Sequence, residues 1–316
     1  MLGLREGALV ARKNRRVLTI VLGLVGGCGV VAALACGGIA FLVYRLASPT
    51  SFPAQTEDYA DARKHFQTRL LRTTASPQRA GPVVLLPGVE EIEYRSGNLK
   101  LKAWVNKPLD LKPRPAVLFL HGGFAFGDDD WEQAKPFRDA GYVVMTPILR
   151  GENGQPGIFT LFYDEVEDVL GAAETLSRMP AVDPKRLYLA GHSAGGTLAL
   201  LAAMTSTRFR SAAAFSGAPD NVAFVRGQEG LAPFNQSDPG EFRMRSPLAF
   251  PQSFKCPTRL YFGDQEFFFQ ASSQQTAQQA KAAGLDVEAV SVPGDHFSAV
   301  PVEIRQAIAF FKQNGG

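Results

Sequence analysis

The sequence predicts an α/β domain with a mostly parallel central sheet covered by helices on both faces, and three observations carry that prediction. Short apolar runs without polar alternation recur after residue 115, as in strands buried on both faces. They alternate with segments of helical periodicity, the order that right-handed βαβ units produce. No internal repeat at propeller spacing interrupts them.

The elements follow in order along 316 residues that carry 33 Lys and Arg against 30 Asp and Glu. Residues 1–16 form a basic tail, with Arg5, Arg12, Lys13, Arg15 and Arg16 against Glu6 alone. The formal charge of +3 therefore belongs to this tail, and the remainder is near neutral. Residues 17–44 contain no charge, and at about 1.5 Å rise per residue a helix of that length exceeds the roughly 30 Å hydrocarbon core. A transmembrane anchor is expected there, because the apolar part of a cleaved signal peptide is shorter. The flanking positive charges place the N-terminus in the cytoplasm and the rest of the chain on the extracytoplasmic side. Gly23 and Gly27 allow at most a weak anchor-mediated dimer. Residues 45–87 read as a juxtamembrane helix over 57–73 and a linker over 76–87 with three prolines.

The domain proper is expected over 88–316. A hairpin comes first, with strands 90–95 and 99–107 around Ser96-Gly97-Asn98. Strand 116–120, helix 128–140, strand 142–146 and helix 162–178 follow. Strand 187–190 then leads into a helix over 197–204. Strands 212–215 and 258–262 flank a cap-like insertion over 219–254, in which Phe224, Phe234, Phe242 and Phe250 are expected to make the inner face apolar. Helix 272–283, strand 287–292 and helix 302–313 close the chain.

Chemistry concentrates at the strand ends. Gly191-His192-Ser193-Ala194-Gly195 joins a strand to a helix, and its small residues permit the sharp turn that exposes a nucleophilic hydroxyl. Ser193 is the expected nucleophile. It requires a base, and of His65, His121, His192 and His296 only His296 lies between the last strand and the last helix. An acid must orient that imidazole. After strand 258–262 both Asp264 and Glu266 qualify by chain order. Oxyanion donors are expected from the Ala194 N–H and from Gly123 or Phe124, after the buried strand 116–120. Phe267, Phe268 and Phe269 crowd the same mouth, where packing under the cap is the favoured role over substrate contact.

The ordered set His121-Gly122-Gly123, Arg150-Gly151, Gly191-His192-Ser193-Ala194-Gly195-Gly196, Arg245-Ser246-Pro247 and His296 resembles the α/β-hydrolase superfamily over roughly residues 90–314. More narrowly it is similar to the hydrolase domain of prolyl oligopeptidases and to dienelactone-hydrolase-like enzymes. The resemblance implies an α/β-hydrolase fold and a serine hydrolase that cleaves an ester or a short peptide through an acyl-enzyme. It also implies that the acid lies three residues after the strand-ending Gly263, which favours Glu266 over Asp264. The propeller of the oligopeptidases has no room here, and Phe124 stands near the place where those enzymes often supply a Tyr hydroxyl. A catalytically degraded scaffold or an acyltransferase are the alternative uses of the same residues.

Other classes are excluded by what the chain lacks. Cys28, Cys36 and Cys256 offer neither a disulfide framework nor a C-x-x-C metal site. The near-neutral body offers no basic patch for nucleic acid. Asp128-Asp129-Asp130 reads as a helix-capping turn rather than a metal site, so neither cofactor nor metal is expected. Arg150 suits either a substrate carboxylate or a structural ion pair.

Overall fold

A computed structural model of the protein describes residues 49–53, 57–81, 83–106, 108 and 110–315. The expected basic tail and anchor, residues 1–44, lie outside the described residues. Among those described, no helix is long and apolar enough to cross a membrane.

The expected hairpin forms from β1 (Val89–Ser96) and β2 (Leu99–Asn106), closed by a two-residue turn in which Gly97 takes φ +53°. Then come β3 (Arg114–Leu120), the short helices α2 (Asp128–Gln133) and α3 (Lys135–Asp139), and β4 (Val143–Pro147). Helix α4 (Glu165–Ser177), β5 (Val182–His192), α5 (Ala194–Thr205) and β6 (Ser211–Phe215) complete the first half. Strands β7 (Thr258–Gly263) and β8 (Val287–Val292) complete an eight-stranded sheet of order β1-β2-β4-β3-β5-β6-β7-β8. Its first two pairings are antiparallel, β1 with β2 and β2 with β4, and the rest are parallel.

Burial on both faces explains the apolar runs. In β3, Ala116, Leu118 and Leu120 enter a core shared with α4 and α5. Val117 and Phe119 enter the opposite core, against Phe137 of α3 and Ile304 and Phe311 of the last helix. Each such side chain contributes about 1.5–3 kcal/mol, which outweighs the β-propensity differences of about 1 kcal/mol.

Several expected helices have different bounds. The helix expected over 128–140 breaks at Ala134, since Pro136 in the first turn of α3 cannot donate to a continuous ladder. The one expected from 162 starts at Glu165, because Leu161 and Phe162 hold φ of 54° and 70°. The one expected from 272 starts five residues earlier, as α8 (Phe267–Ala282), and the last helix, α9, runs over Val300–Gln313.

The largest difference lies before the hairpin. Of the helix expected over 57–73, Tyr59–His65 is helical (α1), and the chain beyond it runs as a strap across the domain. Tyr59 is fully buried and donates its hydroxyl to the Met244 carbonyl. The Leu71 N–H donates to the Pro233 carbonyl, and Leu70 bridges Phe234. The Phe159 N–H then donates to the Thr74 carbonyl, and the Ser76 N–H donates to that of Gly151.

Residues 219–254, expected as a cap-like insertion, pack on this strap. They fold as α6 (Asn221–Val225), α7 (Pro239–Arg243) and single 3₁₀ turns. The four phenylalanines expected on an inner face are spent on packing: Phe224 on Phe162, Phe234 on Phe242, and Phe250 on Tyr59 of the strap. Arg245 pins this layer from within. It is buried, donates to Glu241 at 2.6 Å, to the Thr160 carbonyl at 2.9 Å and to Thr68 at 2.8 Å, and lies 4.1 Å from the Phe234 ring centroid.

Removing one member of such a pair strands the other charge in the interior. Arg245→Ala is expected to destabilise by about 3–5 kcal/mol, whereas Arg245→Met combined with Glu241→Leu should recover much of that loss. Urea denaturation of both variants measures the difference, and equal losses would show that the ion pair is not the pin.

Candidate active site

Four loops meet at the carboxyl ends of the parallel strands. Ser193 sits between β5 and α5 with φ 54° and ψ −117°, a strained elbow that its N–H bond to the Phe215 carbonyl helps to hold. The elbow fits under β3 only because residue 195 is glycine. A Cβ there would lie 2.3 Å from the Leu120 carbonyl oxygen and 2.4 Å from that of His121. A second close approach brings the acid and base loops together: a Cβ on Gly263, at the end of β7, would stand 2.3 Å from the Gly294 carbonyl oxygen.

These approaches bring Ser193, His296 and Glu266 into one chain of hydrogen bonds. His296 Nε2 lies 2.9 Å from Ser193 Oγ, and its Nδ1 lies 2.6 Å from Glu266 Oε1. Because a carboxylate only accepts, Nδ1 carries the proton and Nε2 is left to accept from the serine hydroxyl. Glu266 also receives the Gly263 N–H at 2.7 Å and the Ser216 hydroxyl at 2.5 Å, both on Oε2. Burial would raise its pKa, but the bonds from His296, Ser216 and Gly263 more than offset that and hold it below the usual carboxylate range. Asp264, the competing carboxylate, is not part of this chain. It is exposed and accepts the Gly294 N–H at 3.0 Å, bracing the base loop.

The oxyanion candidates also separate. The Phe124 N–H donates to Gln78 Oε1 of the strap at 2.9 Å, and Ser76 Oγ donates to the Phe124 carbonyl. Phe124 is clasped on both sides, and its N–H is engaged. The N–H of Gly123 has no acceptor among the described residues, and Gly123 holds φ +65°. The Ala194 N–H opens α5, where helix geometry leaves it without an intrahelical partner. Gly123 and Ala194 are the two open donors.

The remaining histidines have structural roles. His192 donates from Nε2 to the His296 carbonyl at 2.9 Å, and the two rings lie 4.9 Å apart. Burial pushes its pKa down to about 4, so the imidazole is neutral at working pH. This tether of the base loop had no signal in the sequence beyond its place in the elbow. His121 Nε2 meets Glu152 at 2.9 Å beneath the oxyanion loop, with both side chains buried. Burial lowers its pKa, but the Glu152 carboxylate outweighs burial and raises it to about 9. His65 is exposed at the end of α1.

Other expectations resolve simply. Arg150 is a structural residue, bonded to the buried Asp168 at 2.7 Å. In the Asp128-Asp129-Asp130 turn, Asp130 accepts the Gly127 N–H, as a helix-capping residue does. Phe269 stacks on the His296 ring at 5.4 Å. Phe267 and Phe268 are not packed under the cap as expected: they are 67% and 68% exposed, as is Phe297 at 73%.

A family model described as alpha/beta hydrolase family matches residues 117–305. The chain belongs to the alpha/beta hydrolase family. Its relatives include a peptidase of Bacillus subtilis named YtmA and described as uncharacterized, 24% identical over 183 residues that make up 55% of this chain and 71% of the relative. Among solved structures, the acylaminoacyl peptidase of Pyrococcus horikoshii superposes with a TM-score of 0.58 at 20% identity, over 71% of this chain and 40% of that one. A hyperthermophilic esterase from Pyrobaculum calidifontis superposes with a TM-score of 0.59 at 20% identity, over 74% of this chain and 86% of that one. At these identities the superpositions establish the alpha/beta hydrolase fold, and this chain spans well under half of the longer peptidase.

Since His192 is neutral and tethers the base loop, its ring resonances are expected to stay constant in an NMR titration from about pH 8 to about pH 5.5 and to move only as the pH approaches about 4. A His192 resonance that moves with a midpoint near the ordinary imidazole value of about 6.5 would contradict the buried, neutral assignment.

Proposed function

We propose that the protein is a membrane-anchored serine hydrolase that cleaves an ester or a short-peptide amide through an acyl-enzyme. The observation that carries the proposal is the unbroken chain Ser193 Oγ, His296 and Glu266, with separations of 2.9 and 2.6 Å. In this reading Ser193 attacks the substrate carbonyl carbon while His296 Nε2 takes the hydroxyl proton. Glu266 keeps Nδ1 protonated and stabilises the imidazolium that forms. The carbonyl oxygen becomes an oxyanion facing the N–H groups of Gly123 and Ala194. The tetrahedral intermediate collapses as His296 returns the proton to the leaving alcohol or amine. Water, deprotonated by the same imidazole, then attacks the acyl-enzyme and releases Ser193.

The substrate side is read from the rim. Phe297 is exposed beside His296, Phe267 and Phe268 are exposed in the first turn of α8 directly after Glu266, and such a rim favours an apolar acyl or leaving group. Peptidase and esterase names both occur among the relatives and structural neighbours, so both bond types belong to the proposal. The anchor rests on the uncharged stretch 17–44 behind its basic tail, which places the hydrolase domain on the extracytoplasmic side.

Two measurements test this. The fragment from residue 49 onward is expected to react with a fluorophosphonate probe and to hydrolyse p-nitrophenyl esters or aminoacyl-arylamides. Ser193→Ala should remove labelling and lower kcat by at least about 10⁴-fold, and Glu266→Ala by on the order of 10³-fold, with KM little changed. A folded wild-type fragment that takes no probe would sink the proposal. For the rim, Phe267→Ser with Phe268→Ser should reduce kcat/KM for long-chain esters about tenfold more than for acetate esters, since each buried methylene is worth about 0.8 kcal/mol. Equal losses would exclude the rim from substrate binding.

A further inference from the structure

Behind Glu266, on the side away from His296, lies a second carboxyl group that the mechanism above does not use. Glu303 is in the first turn and a half of α9 and is completely buried. Neither of its oxygens is in hydrogen-bonding geometry with any group among the described residues. The groups acting on it are the Glu266 carboxylate and the Ser216 hydroxyl, and no cation is among them. Tyr261 of β7 also feels it from the sheet.

Ser216 is the link between the two carboxyls. It follows β6 directly and holds φ 48°, a left-handed conformation unusual for serine, fixed by its N–H bond to the Tyr261 carbonyl. Its hydroxyl carries one proton, and that proton goes to Glu266 Oε2 at 2.5 Å. The serine oxygen can therefore offer Glu303 only lone pairs. An ionised Glu303 would face those lone pairs and the charge of Glu266 with no compensating donor. A protonated Glu303 can donate, and a bond from it to the neighbouring Ser216 would agree in direction with the three that are formed: Ser216 toward Glu266, His296 toward Glu266, Ser193 toward His296.

Resting on the assignment of Ser193, His296 and Glu266 above, we propose that Glu303 is a positioning residue that holds its proton throughout turnover and, through Ser216, keeps the Glu266 carboxylate ionised and aimed at His296. No proton passes along the chain from Glu303. Its role is to fix which way the Ser216 hydroxyl points. Burial, followed by the nearby Glu266 charge, raises its pKa to about 8, which is consistent with the protonated form at neutral pH. Once it ionises, the Ser216 hydroxyl is drawn to the new carboxylate and Glu266 loses a donor.

The test compares Glu303→Gln, Glu303→Leu and Ser216→Ala with the wild type in the fragment from residue 49 onward. Gln donates permanently, so its kcat should stay level from about pH 7 to about pH 9.5, where the wild type should lose about tenfold, the worth of one hydrogen bond to a charged group. Leu cannot donate, and Glu303→Leu and Ser216→Ala should each lose about tenfold in kcat across the whole range with KM unchanged. Thermal unfolding supplies a readout independent of catalysis. The Tm advantage of Glu303→Gln over the wild type should grow from about pH 5 to about pH 8, because the buried wild-type carboxyl keeps a proton that the unfolded chain has already released. Superimposable pH profiles for wild type and Gln variant, or a Tm difference that does not change with pH, would overturn the proposal. Loss of fluorophosphonate labelling in the wild type would instead strike the Ser193 assignment itself.

Discussion

The site depends on one buried charge. An ionised carboxylate removed from water costs several kcal/mol unless donors replace its hydration. Glu266 receives three, and each comes from a different part of the sheet: Gly263 from the end of β7, Ser216 from the end of β6, and His296 from the loop after β8. Parallel strands are what make this supply available, since all their carboxyl ends open on one edge. The same edge presents the elbow after β5 and the open N–H of Gly123 after β3. Moving any one of these strands by a residue would unsatisfy the charge. The register of the sheet and the chemistry of the site are therefore the same constraint.

The strap extends that constraint to a part of the chain remote in sequence. Residues 59–78 reach from the layer pinned by Arg245, across the Gly151 and Phe159 loop, to Phe124. Its last contacts grip Phe124 on both its N–H and its carbonyl, and so limit rotation of the backbone adjoining Gly123. The backbone next to the open Gly123 N–H is thus held by side chains some 45 residues upstream. The fold before the hairpin is thus continuous with the active-site edge rather than a spacer leading to it.

How much of this was legible follows from how local each signal is. The buried strands could be read because double-sided burial leaves uninterrupted apolar runs, and the elbow because three glycines around Ser193 have few other uses. Chain order left Glu266 and Asp264 equal, and only the family resemblance favoured Glu266; the geometry explains the family's spacing, since three residues form the turn that returns the carboxylate to the Gly263 N–H. The break at Ala134 had a visible cause in Pro136. Gln78, His192, Ser216 and Glu303 were not legible, because each acts on a group placed beside it only by tertiary packing. An isolated polar residue in a sequence carries no record of a partner 50 or 100 positions away. Phe267 and Phe268 misled for the opposite reason, since apolar residues imply burial unless the surface they occupy has a use.

The buried titratable groups around the site do not share one protonation state, and this sets where the architecture is best held. The His121 pKa is raised to about 9, so its pairing with Glu152 contributes fully below the unfolded value of about 6.5 and is lost as pH rises through 9. The His192 pKa is lowered to about 4, so its neutral packing contributes fully above about 6.5 and is eroded as pH falls toward 4. Glu303, raised to about 8, adds to the alkaline side, because the pH-linked cost of keeping it protonated is absent where the unfolded carboxyl is also protonated and grows as pH rises toward 8. Acid thus works against the tether of the base loop, and alkali against the floor of the oxyanion loop and the support behind Glu266. Neutral pH leaves His121 charged and His192 neutral, the states in which both can donate as the geometry requires, to Glu152 and to the His296 carbonyl.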